Sequence, residues 1–287
     1  MDGQGRITDR RAGRLATDLC VKLCEKLRSI TVDFAEIIVE PVKEHRFVLV
    51  LRGEGLSGRV SETDPQALGA PPLPARALEP SAERAAAAVN QFVERARPLL
   101  RDAAPANMVL LRGFDKQPDL PLFPDTFRLR AAAVASYPMY RGLARLVGME
   151  VLDTGPTFAD EIATLKQHWA DFDFFFLHYK DTDKAGEDGD FDAKVAALER
   201  FDARLPDVLA LGPDVLAISG DHSTPSILAA HGWQPVPALV SSAYCGADPV
   251  SRFTERDCAG GALGILPAQD LIPLLMANAL RLAKYGA

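Results

Sequence analysis

The first part of the chain combines two helical patterns with two short apolar runs. Apolar residues recur at helical spacing over residues 14–30 and again over 83–101, which predicts two amphipathic helices. The runs 35–40 and 46–51 have the length and composition of strands and predict a β-hairpin. Residues 53–82 are rich in Gly, Pro and Ser and predict a long surface loop.

After residue 114 the pattern changes. Three prolines within 114–126 predict a stiff connector and a domain boundary. Beyond it, helical patterns alternate with continuous apolar runs, which is typical of an α/β fold with a mostly parallel sheet covered by helices on both faces. The predicted helices cover 129–147, 157–170, 190–210, 223–231 and 269–284, and the predicted strands cover 149–152, 173–179, 214–218 and 237–241. A further strand is predicted before the connector, over 107–112.

Composition excludes several classes of function. The 287 residues are 48% hydrophobic and 25% charged, as in an ordinary globular protein. The net charge of −7 argues against a nucleic-acid partner, and no apolar run reaches the roughly 18–20 residues of a membrane span. The polar, basic start does not resemble a signal peptide. We therefore expect a cytoplasmic protein whose Cys20 and Cys24 are reduced core thiols, and the sequence leaves the oligomeric state open.

Charge is unevenly distributed along the chain. Residues 1–130 carry 20 Lys and Arg against 18 Asp and Glu, whereas residues 131–287 carry 12 against 21. Sixteen of the first 20 cations are Arg, whose planar fork of donors matches phosphate and carboxylate oxygens. High-GC codon usage is an alternative explanation for the Arg content. The asymmetry otherwise predicts that one part binds an anionic substrate and the other binds cations.

Three loops that follow predicted strands and helices of the second part carry candidate metal ligands. In a parallel sheet such loops meet at one edge, so Asp183, Glu187, Asp221, His222 and His231 are expected to converge. Carboxylates mixed with imidazoles suit Mn²⁺ or Zn²⁺ better than Ca²⁺ or bare Mg²⁺. Taken singly, the acidic stretch also fits a solvated loop, and each histidine fits a hydrogen-bonding or capping role. The pair Asp221-His222 directly after a buried strand favours the metal site.

Long motifs give the chain a resemblance over nearly its whole length. It is similar to the cofactor-independent phosphoglycerate mutases, in their archaeal-type branch within the alkaline phosphatase superfamily. The motifs are ITDRRAGR (7–14), EHRFVLVLRG (44–53), SETDP (61–65), VLLRG (109–113), YPMYRGLARLVGME (137–150), HYKDTDKAGEDGDF (178–191), GDHSTP (220–225), AHGWQPVP (230–237) and AKYGA (283–287).

The resemblance implies a fold and an activity. It implies an alkaline-phosphatase-like α/β domain over 119–287 and a smaller, Arg-rich α+β substrate domain over 1–118. The implied reaction interconverts 3-phosphoglycerate and 2-phosphoglycerate in glycolysis and gluconeogenesis, through a phosphoserine intermediate. Two divalent metal ions are implied, with Mn²⁺ expected and Mg²⁺, Co²⁺ and Zn²⁺ as alternatives. The implied partner is a small phosphorylated acid.

The resemblance also implies roles for individual residues. It places one metal at Asp183, Glu187 and His231, and the other at Asp221 and His222. The implied substrate contacts are Asp9, Arg10, Arg11, Arg14, Arg112 and Lys180. For the arginines, surface solvation is the alternative.

Two departures from the family pattern affect these expectations. Glu187 stands where many relatives carry His, which shifts metal preference. The family's nucleophilic Ser and first Asp ligand have no counterpart among these residues, so we expect them in a preceding segment and expect the chain alone to bind metal weakly and turn over little. Two other functions stay open: a metal-dependent phosphoester hydrolase of the same superfamily, and a truncated, catalytically silent protein.

Overall fold

The chain divides into two compact units. The structure, a computed structural model, describes residues 1–283. The units are Met1–Asp119 and Leu120–Ala287, so that Arg11 lies in the first and Asp221 in the second. No helix in the described part of the chain is long and apolar enough to cross a membrane.

Each unit has its own helices and strands. The first contains α1 (Thr17–Leu27), β1 (Glu36–Lys43), β2 (Arg46–Arg52) and α2 (Glu83–Leu100). The second contains α3 (Phe123–Phe127), β3 (Ala131–Val134), α4 (Pro138–Leu146), β4 (Glu150–Val151), α5 (Phe158–Gln167), β5 (Phe174–Leu177), α6 (Asp181–Glu187), α7 (Phe191–Asp202), α8 (Leu205–Leu209), β6 (Val215–Ser219), β7 (Ala238–Ser242), α9 (Glu255–Cys258) and α10 (Leu271–Asn278).

The first unit is built on the predicted hairpin and helices. β1 and β2 pair antiparallel, and α1 and α2 bury their apolar faces in one core that includes Phe92 and Cys24. Burial raises the pKa of the Cys24 thiol to about 12, so this cysteine is an inert core residue, as expected. The predicted strand 107–112 is wrong, because this segment forms no strand ladder. It is held by isolated long-range bonds: the Thr63 N–H donates to the Leu111 carbonyl, and the Leu111 N–H donates to Oγ1 of Thr63.

Within its described residues, the second unit contains two small sheets. A parallel sheet has the strand order β4-β3-β5, and β6 and β7 form a separate antiparallel pair. The α/β class is confirmed. The prediction that the run 237–241 continues a parallel sheet is wrong, since Ala238 pairs with Ser219 in antiparallel register.

The central strand of the parallel sheet was predicted as part of a helix. All four residues of β3, Ala131–Val134, are buried, with exposures of 4% or less. Alanine has the highest intrinsic helix propensity, which is why the pattern over 129–147 indicated a helix. A strand that is buried on both faces needs apolar side chains, which these residues supply, and this tertiary requirement overrides helix propensity. The predicted helix survives only as α4, which begins at Pro138.

Other predicted helices are shorter than expected. The segment 223–231 is not helical but forms turns closed by a bridge between Ser223 and Gly232. The predicted helix 190–210 is divided into α7 and α8, with Pro206 in the first turn of the latter. The predicted helix 269–284 ends at Asn278, its last residue lies outside the described residues, and so does most of the 283–287 motif.

A buried carboxyl group connects α5 to the end of β3. Glu161 is 2% exposed, and its Oε1 accepts a hydrogen bond from the backbone N–H of Ser136 at 2.7 Å. Burial raises the pKa of Glu161 to about 6, against the hydrogen bonds from Ser136, which lower it. Ionised Glu161 therefore destabilises the folded chain.

We predict that Glu161→Gln removes a pH dependence of stability. The carboxyl ionises near 4.5 when unfolded and near 6 when folded, so its stabilising protonated form is present below pH 4.5 and lost as pH rises through 6. The free energy of unfolding is measured by chemical denaturation at pH 4.5 and at pH 7.5. The difference between the variant and wild type should shift in favour of the variant by on the order of 2 kcal/mol from the lower to the higher pH. An unfolding free-energy difference that does not change with pH would contradict this prediction.

Candidate metal centre

The predicted metal ligands are held in place by two strand ends and one turn. β5 is followed directly by α6, whose first turn carries Asp183 and whose last residue is Glu187. β6 ends at Ser219, and Asp221 and His222 follow it after Gly220. The bridge between Ser223 and Gly232, with the Gly232 N–H donating to the Ser223 carbonyl at 2.8 Å, returns the chain so that His231 lies beside His222.

The structure brings all five predicted ligands together. Donor atoms of Asp183, His222 and His231 all lie within 4.8 Å of one another. Nε2 of His231 is 3.7 Å from Oδ1 of Asp183 and 3.5 Å from Oε1 of Glu187. Nε2 of His222 is 3.5 Å from Oδ2 of Asp221, and the two imidazole rings are 3.9 Å apart between centroids.

Asp183 is the most enclosed carboxylate of the cluster. Its Oδ2 pairs with the Lys180 ammonium, and its Oδ1 accepts a hydrogen bond from the Thr224 hydroxyl at 2.6 Å. Burial raises the pKa of Asp183, but the hydrogen bonds from Lys180 and Thr224 outweigh it and hold the pKa below its ordinary value. Asp183 is therefore ionised at neutral pH and suited to bind a cation.

Asp221 is held by an aromatic side chain from α4. The hydroxyl of buried Tyr140 donates to Oδ2 of Asp221. Burial raises the pKa of Asp221, and the Tyr140 hydrogen bond and the nearby His222 more than reverse that effect. The Tyr140 ring stacks on His178 at 3.6 Å between centroids, and burial lowers the pKa of His178 to about 4. His178 is thus a neutral ring that fixes Tyr140.

A close approach between backbones joins α6 to the loop after β6. A Cβ added at Gly186 would lie against the carbonyl oxygen of Thr224 at far less than a normal contact distance, and 3.0 Å from its Cγ2. The ammonium of Lys194 in α7 donates to the same carbonyl. Only glycine permits this approach, which places Thr224 next to Asp183.

The donor set fits a divalent metal ion. Carboxylate oxygens and imidazole nitrogens are ligands that Mn²⁺ and Zn²⁺ accept. The side chains of Glu187, Asp221 and His231 are between 44% and 55% exposed, so the group is reachable from solvent. Three carboxylates this close repel one another unless cations lie among them.

Two of the predicted substrate contacts already have partners within the first unit. Arg10 forms a two-pronged ion pair with buried Asp64, with Nε 2.9 Å from Oδ1 and Nη2 2.6 Å from Oδ2. The Asp9 carboxylate accepts from the backbone N–H groups of Arg11 and Gly13, so it stabilises the turn that contains them.

The other predicted contacts are more accessible. Arg11, Arg14 and Arg112 are exposed in the first unit. Lys180, in the second unit, lies between Asp183 and the ring of Tyr137, with its Nζ 5.1 Å from the ring centroid. The structure therefore leaves the roles of these residues as predictions.

Sequence reasoning missed the residues that hold the ligands in place. Tyr140 and Thr224 lie inside the motifs YPMYRGLARLVGME and GDHSTP, but no role was predicted for them. Thr224 follows His222 by two residues, a spacing that places its hydroxyl near the imidazole. The contact between Tyr140 and Asp221 joins residues 81 positions apart, and nothing in a single sequence indicates it.

Comparison with known proteins defines the class of this site. A family model described as the metalloenzyme superfamily matches residues 27–278. The chain is therefore a member of the metalloenzyme superfamily. Within it, the chain is 48% identical to a probable 2,3-bisphosphoglycerate-independent phosphoglycerate mutase of Thermus thermophilus, and 47% identical to those of Aquifex aeolicus and Deinococcus radiodurans.

These alignments cover 99–100% of the chain and 72% of each relative. On this evidence the chain belongs to the family of 2,3-bisphosphoglycerate-independent phosphoglycerate mutases, and it spans 72% of the length of these relatives.

Solved structures agree with this assignment. A protein of Pyrococcus horikoshii superposes with a TM-score of 0.80 at 25% identity, covering 96% of this chain and 72% of that one. The cofactor-independent phosphoglycerate mutase of Thermoplasma acidophilum gives a TM-score of 0.65 at 26% identity, covering 97% and 74%. The alkaline-phosphatase-like α/β fold expected from the sequence is thereby confirmed.

We predict that Gly186→Ala destabilises the second unit. The added methyl group forces α6 away from the Thr224 carbonyl, which should lower the free energy of unfolding by about 1–3 kcal/mol. Gly142→Ala in α4 is the matched control, because its Cβ meets no atom within 4 Å and should stabilise the helix by up to about 1 kcal/mol. Denaturant titration measures both, and equal stabilisation by the two substitutions would refute the close approach.

Proposed function

We propose that this chain acts in the interconversion of 3-phosphoglycerate and 2-phosphoglycerate, as a cytoplasmic enzyme of glycolysis and gluconeogenesis. Its family membership supports this function. The observation that carries the proposal is the convergence of Asp183, His222 and His231, with donor atoms within 4.8 Å of one another. Such a cluster, reachable from solvent, suits metal-assisted phosphoryl transfer.

We assign two divalent ions to the site, with Mn²⁺ as the expected metal. Asp183, Glu187 and His231 would hold one ion, since Nε2 of His231 lies within 3.7 Å of both carboxylates. Asp221 and His222 would hold the other, with 3.5 Å between Oδ2 and Nε2. When bound, the ions neutralise charge on a transferring phosphoryl group and lower the pKa of a hydroxyl nucleophile.

The chain's own residues orient these ligands and bind the substrate. Lys180 pairs with one oxygen of Asp183, and in the proposed reaction it exchanges that contact for a phosphate oxygen. Tyr140 orients Asp221 through its hydrogen bond. The phosphoryl-carrying serine expected of the family has no assigned position in the chain.

The Arg-rich unit distinguishes a mutase from a hydrolase. A mutase must retain the dephosphorylated acid until it is phosphorylated again, whereas hydrolysis has no such requirement. We propose that Arg11, Arg14 and Arg112 bind the carboxylate and phosphate groups of the substrate, and that Arg10 is positioned beside them by Asp64. Their fork-shaped donors fit both groups.

Metal binding is the primary test, because it requires only the residues named above. Calorimetric titration with Mn²⁺ should show binding in the wild-type chain, weakened at least about tenfold by Asp183→Asn. Asp181→Asn is the matched control, since Asp181 lies in the same helix, is largely exposed and forms its ion pair with Arg200, at 3.7 Å, rather than with Lys180. It should leave the affinity unchanged.

The reaction is followed in the same preparations with 3-phosphoglycerate, and turnover by the chain alone is expected to be low. Formation of 2-phosphoglycerate without release of inorganic phosphate supports the mutase. Release of phosphate alone would instead identify a hydrolase. A chain that binds no Mn²⁺, or binds it equally well after Asp183→Asn, would refute the proposed site.

A further inference from the structure

The hydroxyl of Thr224 lies between the two proposed groups of metal ligands. Thr224 is 4% exposed. Its Oγ1 is 2.6 Å from Oδ1 of Asp183 and 3.1 Å from Nδ1 of His222. One buried hydroxyl therefore contacts a ligand from each group.

The position of this hydroxyl is fixed by its backbone. The Thr224 carbonyl accepts a hydrogen bond from Lys194 and packs against Gly186. The neighbouring Ser223 is bridged to Gly232. The backbone of Thr224 is thus held against α6, the helix that carries Asp183.

A count of protons determines the direction of both hydrogen bonds. A hydroxyl has a single proton, and an ionised carboxylate can only accept. The proton of Thr224 therefore points to Asp183, in a short, charge-assisted bond. Toward His222 the hydroxyl oxygen can then only accept, so Nδ1 of His222 must carry a hydrogen. In a neutral imidazole this leaves the lone pair on Nε2.

We propose that Thr224 is a positioning residue that holds His222 in the Nδ1–H tautomer and so directs its Nε2 to metal. Nε2 lies 3.5 Å from Oδ2 of Asp221, whereas Nδ1 lies 4.0 Å from Oδ1 of Asp183. By distance alone, His222 could serve either group of ligands. Because Nδ1 carries a hydrogen and donates it to Thr224, His222 cannot use this nitrogen to bind an ion held by Asp183. The Thr224 hydroxyl therefore separates the ligands into two sets.

The ligand division rests on the proposed function, but the tautomer does not. ¹⁵N spectra of the metal-free, 287-residue chain, recorded at about pH 8.5, which is two units above the ordinary histidine pKa of about 6.5, report which ring nitrogen carries hydrogen. The chain has five histidines, and His222→Gln identifies the resonance of interest. We expect His222 to be protonated at Nδ1. Protonation at Nε2, or an even mixture of tautomers, would overturn the proposal.

Substitutions at Thr224 test the consequence for metal binding. Thr224→Val should abolish the tautomer preference and weaken Mn²⁺ binding by about 10–100-fold, as expected for a residue that orients a ligand. Thr224→Ser keeps the hydroxyl and should preserve both within a few-fold. Thr63→Val is the matched control, because it removes a fully buried, hydrogen-bonded hydroxyl from the first unit and should change neither.

The results separate this proposal from the proposed function. If Thr224→Val has the same His222 tautomer and the same Mn²⁺ affinity as the wild-type chain, the role of Thr224 is overturned. If Thr224→Val does not fold, the tautomer of the wild-type chain and that of Thr224→Ser still test the proposal. Loss of the Nδ1–H tautomer in Thr224→Ser would then contradict the role of the Thr224 hydroxyl. A wild-type chain that binds no Mn²⁺ but shows the Nδ1–H tautomer would refute the metal site and leave the tautomer assignment standing.

Discussion

The site depends on how closely α6 approaches the loop that follows β6. Gly186 has no side chain, so the helix contacts the Thr224 carbonyl directly, and Lys194 donates to the same oxygen. This contact brings Asp183 within hydrogen-bonding distance of Thr224. The resulting concentration of negative charge is offset in the chain itself by Lys180, and by hydroxyl donors from Thr224 and Tyr140. Backbone packing and electrostatics therefore act together to hold carboxylates next to imidazoles.

Much of the fold follows from local patterns in the sequence. The hairpin β1–β2 and the helices α1 and α2 have regular periodicity, and the structure reproduces them within a few residues. The incorrect prediction of a helix at β3 has a different origin. Its alanines favour a helix in isolation, and only their position between β4 and β5 makes them a strand. The turns at 223–231 likewise depend on the bridge between Ser223 and Gly232, a tertiary feature.

The candidate ligands could be recognised because their chemistry is local to strand ends. Asp221 and His222 follow β6 directly, and Asp183 and Glu187 are four residues apart on α6. The residues that orient them depend on distant contacts. Tyr140 reaches Asp221 from α4, and Thr224 contacts Asp183 across 41 positions. The sequence indicates which residues can bind a metal. The hydrogen bonds that orient those residues are visible only in the three-dimensional structure.

Anomalous diffraction from crystals of the 287-residue chain soaked in Mn²⁺ tests the central claim most directly, because it locates each ion and the atoms around it. The account predicts one peak beside Asp183, Glu187 and His231, and a second beside Asp221 with Nε2 of His222 as ligand. A single ion bound by Asp183, Nδ1 of His222 and His231 would contradict the division of the ligands into two sets. Peaks away from all five residues would contradict the metal site itself.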